Sequence, residues 1–296
     1  MGCNIITTVE KMKLTRMVRY VVATAACVGS ISFTTNLQAS LIPLGNQAYF
    51  QDFNYPALPK AGNSKHLPQG WSFETFGSGD DNGQGQDDHG GGGRNKIHAD
   101  DGNNASGGIY SYGARQSDDR ALGILLGANG SGGIFGAEFE NAAGGPINQL
   151  NISFTGEEWR LGRAGRQNQL QFQYSLDAHS LSSGDWLNVP KLDFFTPNTA
   201  GVGAHDGNLP INQQQLSGTI SFLNIPSGGT FWVRWVEAPP PGGGPGDGLA
   251  VDNFSISAVP EISTILGGCA AASLLALSLL PRRQAILSKL GLRRAQ

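Results

Sequence analysis

The stretch Asn168-Gln169-Leu170-Gln171-Phe172-Gln173-Tyr174-Ser175 alternates apolar and amide side chains at every second position. Successive side chains of a strand point to opposite faces, so Leu170, Phe172 and Tyr174 share one face and Gln169, Gln171 and Gln173 the other. A helix would scatter the same residues around its axis. The segment therefore reads as a strand with one buried and one wetted face. Working outward, the same period recurs between Gly, Asn, Asp, Ser and Pro breaks. Strands are expected near 48–54, 71–76, 108–113, 120–126, 133–141, 147–155, 186–195, 217–224, 230–237 and 248–257. In 230–237, Phe231 and Val233 alternate with Trp232 and Arg234, and Trp232 and Trp235 fall on opposite faces. No stretch of the body sustains a 3.6-residue apolar stripe. Roughly eleven short strands in one domain predict an all-β fold, an antiparallel β-sandwich of jelly-roll type with long Gly-rich loops. The longest loop is 77–107, GSGDDNGQGQDDHGGGGRNKIHADDGNNASG, which has too little apolar surface to order itself beyond a short strand near 95–99. A second Gly/Pro loop is 238–246.

Composition agrees. Glycine contributes 43 of 296 residues and charged residues only 15%, which excludes a coiled coil or helical bundle. The formal net charge is −3 and residues 40–260 alone carry −10, so no basic excess exists for nucleic acid.

The two ends differ from the body. Lys11, Lys13, Arg16 and Arg19 precede an uncharged run over 20–33, and Gln38-Ala39-Ser40 supplies a small-residue exit. This predicts a secretory signal peptide over 1–39 with a short apolar helix. At the other end, 262–280 has no charge and is followed by Pro281-Arg282-Arg283. That length just crosses a hydrocarbon core of ~30 Å, and the arginines hold its end in the cytoplasm. The organisation expected is 1–39 signal peptide, 40–258 extracellular β-sandwich domain and 259–296 sorting signal with a transmembrane helix over 262–280.

Val259-Pro260-Glu261, the apolar run and Arg282-Arg283 together resemble the PEP-CTERM sorting signal of Gram-negative envelopes. Ile262 stands where that motif has its second proline. The resemblance implies an exosortase-type processing enzyme as partner, membrane anchoring through the C-terminal helix before processing, and delivery to the envelope, cell surface or extracellular matrix. The pieces GGIYSYG, DRALG, ISFTGEEWR, LQFQYSLD, FWVRWVE and DGLAVDNFSIS resemble a β-sandwich module of secreted bacterial proteins, and the last is similar to the closing strand of concanavalin-A-like and MAM-type jelly rolls. The module implies no catalytic activity.

Candidate chemistry is sparse. All three cysteines, Cys3, Cys27 and Cys269, lie in the end segments, so the body has no disulfide framework, thiol nucleophile or zinc site. The five histidines show neither HxH nor HExxH spacing, and no G-x-S-x-G elbow occurs. Glu157 and Glu158 are adjacent, so on a strand they point apart and cannot flank one glycosidic bond. Trp159 is expected to pack and Arg160 to pair with a carboxylate. Asp52 and Asp252 lie on the first and last strands of the body. In similar jelly-roll modules such strands are neighbours, which makes the two aspartates candidates for a structural Ca²⁺, the alternative being solvated or turn-capping carboxylates. The aspartates of 77–107 read as solvated loop charge. Five tryptophans, Trp71, Trp159, Trp186, Trp232 and Trp235, either fill the core or, where exposed, mark a sugar-stacking surface. The expected function is that of an exported, noncatalytic surface or biofilm-matrix protein with exopolysaccharide as ligand. The alternative is a secreted polysaccharide hydrolase, which requires two carboxylates about 5–10 Å apart in a cleft.

Overall fold

The computed structural model describes residues 41–76 and 96–259. The expected signal segment, residues 77–95 of the expected loop, Pro260, Glu261, Arg282, Arg283 and the expected helix over 262–280 lie outside the described residues.

Sixteen strands follow the chain: β1 (Ile42–Leu44), β2 (Tyr49–Gln51), β3 (Asn63–Ser64), β4 (Trp71–Phe76), β5 (Ile97–Asp100), β6 (Gly108–Tyr112), β7 (Ala121–Leu125) and β8 (Gly132–Asn141). They continue as β9 (Ile147–Leu161), β10 (Gln169–Ser175), β11 (Leu187–Asn188), β12 (Phe194–Phe195), β13 (Gly203–Ala204), β14 (Gln213–Ile225), β15 (Thr230–Glu237) and β16 (Gly248–Ala258). Among the described residues, helix is confined to two 3₁₀ turns, Pro190–Leu192 and Pro210–Asn212.

One sheet has seven strands. Its centre is β8–β15–β10, with β1 and β4 beyond β8, and β11 and β12 beyond β10. The other has nine, ordered β9–β16–β7–β6–β5–β3, with β14 and β13 on the free side of β9 and β2 beside β16. Both sheets are mixed rather than purely antiparallel, because β1 joins β8, and β5 joins β6, in parallel. Side-chain alternation has the same period in both kinds of pairing, so it does not distinguish them. At β5–β6 the parallel pairing depends on a tight return. Asp100 Oδ1 accepts the Gly102 and Asn104 N–H groups at 2.7 and 3.2 Å, and Gly102 sits at φ +87°.

The alternation read in 168–175 is realised: Leu170 and Phe172 are buried in the core, while Gln169, Gln171 and Gln173 face partly outward. Pairing registers line up Phe73, Phe135, Trp235 and Phe172 across β4–β8–β15–β10. From the facing sheet, Phe154 and Phe254 meet Trp235 edge-on at 5.5 and 5.3 Å between ring centres. These contacts make the pair of sheets a sandwich with one continuous aromatic and aliphatic core. Several expected strands change extent: 48–54 shortens to β2 and 217–224 lengthens to β14. The strand at 147–155 runs on to Leu161, and 186–195 breaks around Pro190 into β11, a 3₁₀ turn and β12, since proline withholds a ladder donor.

Gly102→Ala is expected to cost about 2–3 kcal/mol by urea denaturation. A Cβ there would overlap the Trp159 carbonyl oxygen, and the backbone lies in the left-handed region. An unchanged midpoint would show that the return loop is not held as described.

Candidate functional site

On β9, Leu150, Ile152 and Phe154 enter the core, so Gln149, Asn151 and Ser153 face out. On β14, Leu216 and Ile220 enter it, leaving Gln215, Ser217, Thr219 and Ser221 on the outer face. On β16, Phe254 and Ile256 point in and Ser255 and Ser257 out. Register then sets these side chains in ranks. Thr219, Asn151 and Ser257 form one, and Ser217, Ser153 and Ser255 the next. Thr219 Oγ1 donates to Asn151 Oδ1 at 2.9 Å, and Gln215 Nε2 donates to Thr155 Oγ1 at 2.7 Å. The hydroxyls of Ser153, Ser217, Ser255 and Ser257 show no hydrogen bond among the described residues. A shallow depression of about 250 Å³ lies over them, with Lys191 at its margin. Two phenylalanines flank this field: Phe50, 57% exposed, on the β2 residue paired with Ser255, and Phe222, 101% exposed, just past Ser221.

Hydroxyl and amide groups both donate and accept, so the face can exchange hydrogen bonds with another polyhydroxylated surface. Exposed rings offer apolar faces for stacking. Apart from Lys191, the lining groups carry no charge and supply neither an acid nor a base.

Farther along the same outer face the environment is the reverse. Trp159 Nε1 donates to Glu157 Oε2 at 2.9 Å. The Trp159 ring stacks on Tyr112 with centres 6.1 Å apart, and Tyr112 on Tyr110 at 5.1 Å. Gly207 packs directly on the Trp159 indole, leaving no room for a side chain. Beneath this cover Glu157 is 4% and Asp252 5% exposed. Burial pushes Glu157 up to about 8, helped by the nearby Asp252 carboxylate. Burial likewise raises Asp252 to about 7. Neither is placed to meet a substrate, which is what glycosidic cleavage requires.

Glu158 points to the opposite face from Glu157. Its Oε2 accepts the Asn198 N–H at 3.0 Å and its Oε1 lies 2.9 Å from His205 Nδ1. Burial pushes it up to about 8. The expectation that Arg160 pairs with a carboxylate is corrected. Its guanidinium donates to the Gly102 and Asn103 carbonyls at 2.9 and 3.2 Å, because the return loop turns those oxygens toward β9.

The tryptophans largely fill the interior. Trp71, Trp159, Trp232 and Trp235 are buried. Trp232 and Trp235 do face opposite sides, Trp235 in the core between the sheets and Trp232 against Ala178 and Leu181 on the other face. Trp186 is half-buried, with the Arg234 guanidinium 3.8 Å above its ring. The exposed aromatics beside the polar field are therefore phenylalanines. Phe222 reads as an ordinary strand residue in sequence, and its exposure comes from a backbone irregularity at φ +62°.

Asp52 and Asp252 are brought near each other, since β2 pairs with β16. Asp52 Oδ1 accepts the Asn54 N–H at 3.2 Å, a turn-capping role, and Asp252 Oδ2 accepts from Asn253 Nδ2 at 2.7 Å. Among the described residues no group of three or more His, Cys, Asp or Glu is arranged to hold a metal ion. Val259 donates its N–H to the Gln149 carbonyl at 3.0 Å.

No family model matches the sequence, and no curated protein is similar to it. Solved structures to which the chain is similar include the xylan-binding module CBM15, at 16% identity over 73% of this chain and 99% of that one, with a TM-score of 0.33. An adhesin domain of Lys-gingipain from Porphyromonas gingivalis is 11% identical over 72% of this chain and 99% of its own, with a TM-score of 0.36. The enzymatically active domain of tailspike protein 4 from bacteriophage CBA120 is 7% identical, with a TM-score of 0.32, and the chain covers only 19% of it.

Proposed function

We propose that this chain is an exported, noncatalytic surface or matrix protein that binds neutral polysaccharide on the outer face of β14–β9–β16, and that 259–296 is a sorting signal read by an exosortase-type enzyme. The observation that carries the binding reading is the ranked hydroxyl and amide field with unengaged serine hydroxyls between two exposed phenylalanines. A sugar polymer satisfies such a field through many weak hydrogen bonds, and its ring faces stack on the phenylalanines. The surrounding body is acidic, which disfavours polyanions and leaves uncharged chains as the suitable ligand.

The test is affinity electrophoresis through gels containing neutral or uronic-acid polysaccharides. The native chain is expected to be retarded by at least one neutral polymer. Ser153→Arg with Ser255→Arg, both outward-facing, should weaken that retardation at least tenfold at unchanged melting temperature. Free migration in every gel, or equal retardation of the variant, removes the reading. The sorting proposal is tested by mass spectrometry of the cell-surface form, whose last residue should lie near Val259–Glu261. An intact C-terminus on material retained inside the cell would overturn it.

A further inference from the structure

The chain between β2 and β4 holds a tyrosine out in solvent between two core residues. Phe53 and Leu58 are both buried, and Phe53 meets Trp71 edge-on with ring centres 4.7 Å apart. Tyr55, between them, is 51% exposed. Burial therefore does not place its ring; local bonds do. The Tyr55 N–H donates to the Asp118 carbonyl at 2.8 Å. Lys60 Nζ lies 4.5 Å from the centre of the Tyr55 ring and pairs with Asp118 Oδ1 at 2.6 Å. The ring borders a depression of about 580 Å³, whose walls include Asp52, Asn54, His66, Leu67 and Pro68. Lys60 is not one of those walls; it lines a separate depression with Asp100 and Arg120. The ammonium thus occupies one face of the ring and leaves the other for a ligand.

We propose that this depression binds an uncharged pyranose unit of a polysaccharide, stacked on Tyr55 and held by Asp52, Asn54 and His66. Asp52 Oδ1 accepts the Asn54 N–H at 3.2 Å, and Asn54 Oδ1 accepts the Arg120 N–H at 2.9 Å. One oxygen of each side chain is thereby tied to the backbone, which fixes the remaining polar atoms. Asp52 Oδ2, Asn54 Nδ2 and the His66 ring nitrogens have no hydrogen-bond partner among the described residues. They supply a carboxylate acceptor, an amide donor and an imidazole for sugar hydroxyls. Tyr55, Leu67 and Pro68 offer apolar surface to the C–H faces of the ring. The volume lies within the range of small-ligand sites. Charge sets the class of sugar. No Lys or Arg lines the depression, Asp52 is a carboxylate there, and the nearby Lys60 is already paired with Asp118. A uronate or sulfate group would therefore meet a like charge with no free counter-charge. The site lies outside the β14–β9–β16 face and stands whether or not that face binds polysaccharide.

The experiment uses the full chain labelled with 3-fluorotyrosine, in which the Tyr55 fluorine resonance is identified by its loss in Tyr55→Phe. The probes are xylohexaose, cellohexaose, mannohexaose and galactohexaose, with hexagalacturonate as the charged comparison. At least one neutral probe should shift the Tyr55 resonance saturably, and hexagalacturonate should leave it in place. In isothermal titration with that neutral probe, Tyr55→Ala should bind about tenfold more weakly at unchanged melting temperature, the scale of losing a stacked ring, whereas Tyr55→Phe should stay within about threefold. Ser153→Arg with Ser255→Arg should leave the Tyr55 shift unchanged. A Tyr55 resonance unmoved by every neutral probe, one moved most by hexagalacturonate, or native affinity in Tyr55→Ala overturns the proposal. Retardation in the polysaccharide gels with an unmoved Tyr55 resonance removes this site and keeps the outer face. A shifted resonance, with the outer-face variant retarded as the native chain is, does the reverse.

Discussion

Replacing Trp235 by Ala is expected to lower the unfolding free energy by about 3–5 kcal/mol, the scale of removing a buried tryptophan. The indole is 0% exposed. It stacks between Phe135 at 5.4 Å and Trp71 at 5.9 Å. It meets Phe172, Phe154 and Phe254 edge-on at 5.1, 5.5 and 5.3 Å. All five rings would face the void together, Phe135, Trp71 and Phe172 from the sheet of β15 and Phe154 and Phe254 from the facing one, and close packing leaves little freedom to collapse into it. Trp235→Phe should cost much less. It keeps an aromatic ring and removes an indole N–H that has no hydrogen-bond partner among the described residues. Urea denaturation checks both, with the midpoint falling and the slope unchanged. A loss below about 1 kcal/mol for Trp235→Ala would show that the two sheets do not close around this ring.

The second large effect is on pH. Burial pushes Glu157, Glu158 and Glu237 up to about 8 and Asp252 to about 7. A carboxyl whose folded pKa is raised keeps its proton in the fold after the unfolded chain has released it. Its contribution is therefore complete below the unfolded carboxylate range and is lost as pH climbs through the folded value. Each unit of separation corresponds to about 1.4 kcal/mol. Four such groups place the stability maximum on the acidic side, with a melting temperature falling by about 10 °C or more between pH 5 and pH 9. Glu237→Gln should flatten that fall, because glutamine can still accept the bond that Asn168 Nδ2 makes to Glu237 Oε1 at 2.9 Å and carries no proton to lose. A melting temperature that is flat or rises over the same range would mean that these carboxyls ionise freely in the fold.

Both effects arise from burial, and the sequence shows burial unevenly. In NQLQFQYS and TFWVRWVE the period of two sorts side chains by face, so the strands and the opposition of Trp232 to Trp235 can be read directly. The same rule separates Glu157 from Glu158. It fails where the cause is not local. Pro190 breaks the strand expected over 186–195, and the parallel pairing of β5 with β6 depends on a return loop that alternation does not encode. The acidity of Glu157 is suppressed by burial and by the carboxylate of Asp252, brought beside it from a strand far along the chain.

The polar field shows the same division. Asn151, Ser153, Ser217, Thr219, Ser255 and Ser257 are visible in the sequence as the wet halves of three alternating strands. By itself the chain determined an all-β body of alternating strands, an acidic surface and apolar, basic ends, because composition and period act residue by residue. Only the tertiary structure decided that three distant hydroxyl-bearing strands lie side by side, that Phe222 stands in solvent, and that the acids beside Trp159 are covered. Those outcomes depend on register and on contacts between segments far apart in sequence, which no local pattern carries.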